Sequence, residues 1–226
     1  MLFCLVHGST QNSAGWDLLI PELAQLGHES ICVDLPNDPA ASATVYANRI
    51  AESLAGQTWG RAMPCQNDVT VVAHSASGLF LPLVPAQRLV FLAAVIPQPG
   101  RSLLDQLQAT PQMLNPEWLG KNPVDDDRIA LQFLFHDCSP QTAEWALTTR
   151  RLTNARQAII EECPLKAWPP IPSTYILCTG DRTIQPECSR QAARERLGSE
   201  ALELPGGHCP RVSRPRELAE MLARLD

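Results

Sequence analysis

Three residues of this sequence are suited to covalent chemistry, and each follows a strand-like run. Ser75 lies in Val69-Thr-Val-Val-Ala-His-Ser-Ala-Ser-Gly78, Asp181 follows Ser173-Thr-Tyr-Ile-Leu-Cys-Thr179 and Gly180, and His208 closes Leu202-Glu-Leu-Pro-Gly-Gly-His208. A serine hydroxyl is a weak nucleophile at neutral pH and needs an adjacent base. An imidazole acting as that base needs a carboxylate to fix its tautomer and stabilise its cation. A strand that turns sharply into a helix holds one side chain out on a strained turn. The residues two before and two after that side chain then approach each other and must be small, as Ala73 and Ser77 are. Each part alone also fits plain structure: a buried serine, an aspartate in a turn, a flexible Gly-Gly-His loop. All three at strand ends, in this order, point to acyl transfer.

Acyl transfer also needs donors aimed at the oxygen that becomes negative. Leu2-Phe-Cys-Leu-Val6 reads as a buried strand, and His7-Gly8-Ser9 follows it. The backbone N–H groups of Ser9 and Ala76 are the candidate oxyanion donors, one from an early loop and one from the residue after the nucleophile. The elements that would hold these groups alternate. Apolar spacing predicts a helix over 15–26 and, capped by Ser42, another presenting Val45, Ala47, Ile50 and Leu54. Strands are predicted at 30–34, 69–73, 88–95, 174–179 and 201–204, and helices at 185–197 and 214–224. Residues 57–68 read as polar and irregular, and the helix after Ser75 is short or kinked because of Pro82 and Pro85. Strand–helix alternation predicts an α/β fold with a mostly parallel, doubly wound sheet of about six strands and no leading antiparallel hairpin. Residues 1–226 read as a single domain, and 101–164, which holds helical patterns only, as a helical cap inserted within it.

Several stretches together resemble the α/β-hydrolase superfamily: His7-Gly8-Ser9, Gly15-Trp16-Asp17-Leu18-Leu19-Ile20-Pro21-Glu22-Leu23, Asp34-Leu35-Pro36, His74-Ser75-Ala76-Ser77-Gly78 and Gly207-His208-Cys209-Pro210. Within it the chain is similar to the small serine carboxylesterases grouped with plant methyl esterases and hydroxynitrile lyases. Both ends of the chain carry the likeness, which continues through 92–100 and fades over 101–164. The resemblance implies an α/β-hydrolase fold and a Ser75–His208–Asp181 triad. Lyases of that group carry a lysine directly after the catalytic histidine, where this sequence has Cys209, so the resemblance favours ester hydrolysis over cyanohydrin cleavage.

Composition narrows the classes. A chain of 226 residues, 45% hydrophobic and 19% charged, suits one sizeable core. A net charge of −6 without a Lys/Arg cluster disfavours nucleic acid. The first apolar run ends at Gly8, too soon for a membrane span, so no membrane partner is expected and the cytoplasm is the expected compartment. The eight cysteines include no CxxC pair, so metal spacing is missing. No metal, cofactor or disulfide framework is expected, and Cys209 reads as a packing residue.

The expected activity is hydrolysis of a small, largely apolar carboxylic ester through an acyl-enzyme intermediate, with a small-molecule ester as partner and oligomeric state left open. Lyase, lactonase, thioesterase or carbon–carbon hydrolase chemistry at the same site, or a non-catalytic ligand-binding role, stays open. Trp118, Leu131, Phe135 and Trp145 are the candidate substrate-binding residues, with joining of cap to core as the alternative for each. Asp105 is an alternative acid, and His136 reads as a polar cap histidine.

Overall fold

The structure is a computed structural model that describes residues 1–56 and 69–225. The stretch 57–68, with Cys65, lies outside the described residues. Six strands form one sheet in the order β2-β1-β3-β4-β5-β6, every adjacent pair parallel. They are β1 (Leu2–Val6), β2 (Glu29–Val33), β3 (Val69–His74), β4 (Arg88–Leu92), β5 (Ser173–Cys178) and β6 (Leu202–Leu204). β3 sits third, flanked by β1 and β4, and all six of its residues are buried. Such a strand reads as an unbroken apolar run because both faces are covered.

Successive side chains of a strand point to opposite faces, and the two faces collect separate cores. Phe3, Leu5, Val72, Val90 and Ile176 pack with Trp16, Leu19 and Leu23 of the first helical region and with Leu218, Ala219 and Leu222 of the last helix. Cys4, Val6, Val71, Phe91 and Tyr175 pack on the opposite side with Tyr46, Ala47 and Ile50. Helices α1 (Leu19–Gln25) and α9 (Pro215–Ala223) cover the first face, and α2 (Ala43–Ala55) the second. Ser42 caps α2 by accepting from the Val45 N–H at 3.3 Å. The buried stripe of α2 is Ala43, Tyr46, Ala47 and Ile50, while Val45 is 47% exposed. Ala47 and Ile50 are buried as expected and Leu54 packs on the same core, whereas Tyr46 takes the place expected for Val45, its hydroxyl donating to the carbonyls of Pro36 and Asp38.

Three other expectations change in detail. The helix predicted over 15–26 divides into a 3₁₀ turn at Ser13–Trp16, capped by Asn12, and α1. The segment behind Ser75 is two 3₁₀ turns, Ser75–Leu79 and Leu81–Leu83, rather than an α-helix. Pro82 has no N–H to continue an α-helical ladder, and a side chain at Gly78 would meet the Val95 carbonyl oxygen at 2.0 Å. The 185–197 helix is α7 (Pro186–Ala192) followed by a π turn at Ala193–Leu197.

Between β4 and β5 run α3 (Leu103–Ala109), α4 (Asp127–Phe133), α5 (Pro140–Thr148) and α6 (Arg156–Ile160), with no strand among them. A third apolar cluster joins this segment to the chain beyond His208. Ala130, Leu134, Phe135, Ala143 and Ala146 pack on Cys209 and on Val212 of α8 (Pro210–Ser213).

Candidate active site

Register brings the site together. Val6 lies opposite Ala73, His74 opposite Leu92, and Cys178 opposite Leu204, so the C-terminal ends of these strands line one rim. Ser75 leaves β3 with φ +58°, a left-handed conformation that L-residues avoid. That strain fits the sharp turn anticipated for an exposed nucleophile. The turn is held by the Val95 N–H, which donates to the Ser75 carbonyl at 3.0 Å. A side chain at Gly8 would come within 2.8 Å of Ser75 Cβ, so the loop after β1 approaches this closely only as glycine. Ser77, standing at the small position of the pentad, donates its hydroxyl to the His7 carbonyl at 2.5 Å.

Ser75 Oγ lies 3.0 Å from His208 Nε2, and His208 Nδ1 lies 2.8 Å from Asp181 Oδ2. An ionised Asp181 only accepts, so Nδ1 carries the proton and Nε2 is free to accept from the serine hydroxyl. The other Asp181 oxygen accepts from the Thr183 N–H at 2.7 Å, the Ile184 N–H at 3.1 Å and the Thr183 hydroxyl at 3.0 Å. Thr183 Oγ1 is also 2.8 Å from His208 Nδ1, so this hydroxyl bridges acid and base. Asp181 and His208 are buried, whereas Ser75 is half-buried. Asp105, the alternative acid, is spent elsewhere: with Ser102 it closes a capping box at the start of α3.

Two further histidines shape the rim. His74 donates Nε2–H to the His208 carbonyl at 2.7 Å, and its ring centroid is 4.6 Å from that of His208. Burial, with lesser contributions from the charges of Arg211 and His208, holds its pKa well below the usual imidazole range, so it is a neutral donor. His7 accepts from the Leu35 N–H at Nε2, 3.0 Å, and donates from Nδ1 to the Gly8 carbonyl at 2.7 Å. Burial pushes its pKa down to about 4. A neutral imidazole thus braces the turn that carries the Ser9 N–H. Sequence reasoning passed over both as functional groups, along with Thr183. The Asp-x-Thr spacing and the histidine before Ser75 were the available signals.

The segment between β4 and β5 grips every loop of the site. The Thr153 N–H donates to the Ser9 carbonyl at 2.7 Å, Arg151 N–H to the Thr10 carbonyl, and Asn12 N–H to the Thr149 carbonyl. His136 Nε2 lies 3.1 Å from the Gly180 carbonyl, and Asp137 accepts from the Gly207 N–H at 2.8 Å. Buried Gln11 donates to the Thr149 hydroxyl at 2.8 Å and accepts from Arg211. Arg211 is fully buried, its guanidinium carbon 4.7 Å from the centre of the Trp16 ring, and it forms no ion pair among the described residues.

A cavity of about 280 Å³ opens beside Ser9 and Thr10. Of the four candidate substrate-binding residues, Trp118 lines this cavity, with Leu114, Val124 and Leu152 as further apolar wall. The other three lie elsewhere. Phe135 is 1% exposed inside the cluster around Cys209, and Trp145 packs against that cluster. Leu131 is 37% exposed on α4. Helical phase decides this: α4 turns Ala130 and Phe133 inward, and Leu131 falls between them. Among the described residues no helix is long and apolar enough to cross a membrane. Nor do they contain a group of three or more His, Cys, Asp or Glu that could hold a metal ion.

The profile of the alpha/beta hydrolase family matches residues 5–221. The alpha/beta hydrolase nvfD of Aspergillus novofumigatus is 24% identical over 239 residues, covering 96% of this chain and 93% of that protein. Among solved structures, polyneuridine aldehyde esterase superposes with a TM-score of 0.78 at 21% identity over 99% of this chain and 98% of its own. The methylesterase MES16 from Arabidopsis superposes with 0.74 at 17% identity over 100% and 98%. At these identities the structural likeness speaks for the fold.

Proposed function

The chain belongs to the alpha/beta hydrolase family, and we propose that within it the protein is a serine esterase cleaving a small, largely apolar carboxylic ester. The observation that carries this reading is the unbroken run from Ser75 Oγ through the His208 ring to Asp181, two contacts of 3.0 and 2.8 Å, on a positive-φ serine. The ester-cleaving names of the two solved neighbours agree with it. In the proposed reaction His208 Nε2 takes the Ser75 proton as Oγ attacks the carbonyl carbon. The Ser9 and Ala76 N–H groups receive the oxyanion, and Asp181 steadies the imidazolium. His208 then protonates the leaving alcohol. Water, deprotonated by the same nitrogen, releases the acid and restores Ser75. Each of these steps uses side chains and backbone of this chain. The helical segment 101–164 acts in this scheme as the cap that walls the reacting centre. The cavity volume lies just below the usual range for small-ligand sites, which favours a small substrate.

A lyase reading is disfavoured by Cys209. It is fully buried in an apolar cluster and its thiol is pushed up to about 12, so no cation stands where the lyases have lysine. Ser75→Ala is expected to lower turnover of a responsive ester by about 10³-fold or more; near-normal turnover would sink the mechanism. A fluorophosphonate probe labels Ser75 if the nucleophile is activated. A non-catalytic ligand-binding protein stays unlabelled.

A further inference from the structure

We infer that the preferred substrate is an ester whose cavity-filling apolar group carries a carboxylate, read by Lys121. This rests on the serine-esterase reading and narrows its substrate class. The cavity beside Ser9 is walled by Leu114, Trp118, Val124 and Leu152, and among all its lining residues Lys121 alone is charged. The loop that supplies it holds three carboxylates, and each is already engaged. Asp125 accepts from the Asn122 amide at 2.7 Å. Asp126 accepts from the Arg128 and Ile129 N–H groups, and Asp127 pairs with Arg150. Lys121 forms no ion pair with any of them, nor with Glu117 one turn earlier, among the described residues. Its ammonium group is therefore the uncommitted charge of this wall.

The geometry of a lysine suits that task. Its aliphatic stem lies along apolar surface while the ammonium group stays in water. Leu119 and Leu152, 53% and 47% exposed, supply apolar surface in the same lining. With Ser9 and Lys121 in one lining, a substrate whose reacting carbonyl lies at the Ser9 N–H and whose apolar group ends in a carboxylate matches this wall. A half-ester of a short dicarboxylic acid is the simplest member of the class. In its hydrolysis the water oxygen bonds to the acyl carbon, the acyl C–O bond breaks, and the alcohol leaves with the proton that His208 delivers. The product diacid keeps the distal carboxylate unchanged and releases one proton to solvent.

The experiment compares mono-p-nitrophenyl glutarate with p-nitrophenyl valerate, which match in chain length and differ in the terminal charge. The reading is the ratio of their kcat/KM values in wild type, Lys121→Gln and Lys121→Glu. Wild type is expected to favour the glutarate. Lys121→Gln should lower the ratio by about fivefold, the scale of one exposed ion pair, and Lys121→Glu should lower it further. Added salt should erode the wild-type preference and leave Lys121→Gln little changed. A ratio that is the same in all three proteins overturns the inference, while Ser75-dependent cleavage of the valerate keeps the esterase reading standing. If neither ester turns over, free glutarate is tested for protection of Ser75 against the fluorophosphonate. Protection in wild type and none in Lys121→Glu supports the anion site, and equal protection overturns it. Failure of Ser75 to label at all removes both readings.

Discussion

The rim that carries Ser75, Asp181 and His208 and the wall formed by 114–124, whose cavity meets the loop after β1 at Ser9 and Thr10, are held by different means. The acid and the histidine of the rim are bonded more than once: Asp181 accepts from two backbone N–H groups and a hydroxyl besides His208, and His208 is held at its carbonyl as well as its ring. Its loops leave the ends of β1, β3 and β5, each paired on both sides, and of the edge strand β6. The wall has no strand. It consists of turns closed by side chains such as Asn115 and Asn122, which cap their own backbone. Positions fixed by several bonds suit chemistry, which tolerates little displacement. A wall of turns and apolar side chains suits the choice of substrate, because loops accept new residues without disturbing the sheet.

Four measurements break or sharpen this contrast. Asp181→Asn should have the largest effect, lowering kcat by about 10³- to 10⁴-fold through the wrong imidazole tautomer; stopped-time ester assays read it, and a loss under tenfold would mean that the rim does not work as a unit. Phe135→Ala should cost about 3–5 kcal/mol of stability in denaturant titration, with the glutarate-to-valerate ratio unmoved, because this side chain joins segment 101–164 to α8 and is absent from the cavity wall.

Acid should weaken the rim before the wall. His7 and His74 have pKa values depressed in the folded state, so the unfolded chain binds protons more readily. Their contribution is complete above about pH 6.5 and is lost as pH falls towards 4, costing about 3 kcal/mol for His7 alone. Chemical unfolding at pH 7, 5.5 and 4.5 measures it, and His7→Gln should flatten that dependence. Thr183→Val should be the mildest, lowering kcat by about fivefold with little change in KM, since His208 Nδ1 retains Asp181 and Asp181 retains its backbone donors.

Much of the rim was legible in the chain because it depends on local chemistry. A β-branched run followed by a small–x–Ser–x–small pentad can fold only a few ways, and parallel pairing of buried strands puts their C-terminal ends on one edge. The wall was less legible. Leu131, Phe135 and Trp145 share with Trp118 the quality of being large and apolar, and nothing in their spacing tells a pocket from a core. The same limit applies to Tyr46, which displaces Val45 from the buried stripe of α2 through two hydrogen bonds to carbonyls eight and ten residues away.

The sequence alone determined the alternation of strands and helices, and the order in which serine, aspartate and histidine follow strand ends. Those are properties of neighbouring residues, set by backbone sterics and by periodicity. Tertiary structure alone decided that Thr183 bridges acid and base, that His74 holds the His208 carbonyl, and that segment 149–153 pairs with the loop after β1. Those contacts join residues as far as 144 positions apart, and no local pattern encodes which distant donor will meet a given acceptor.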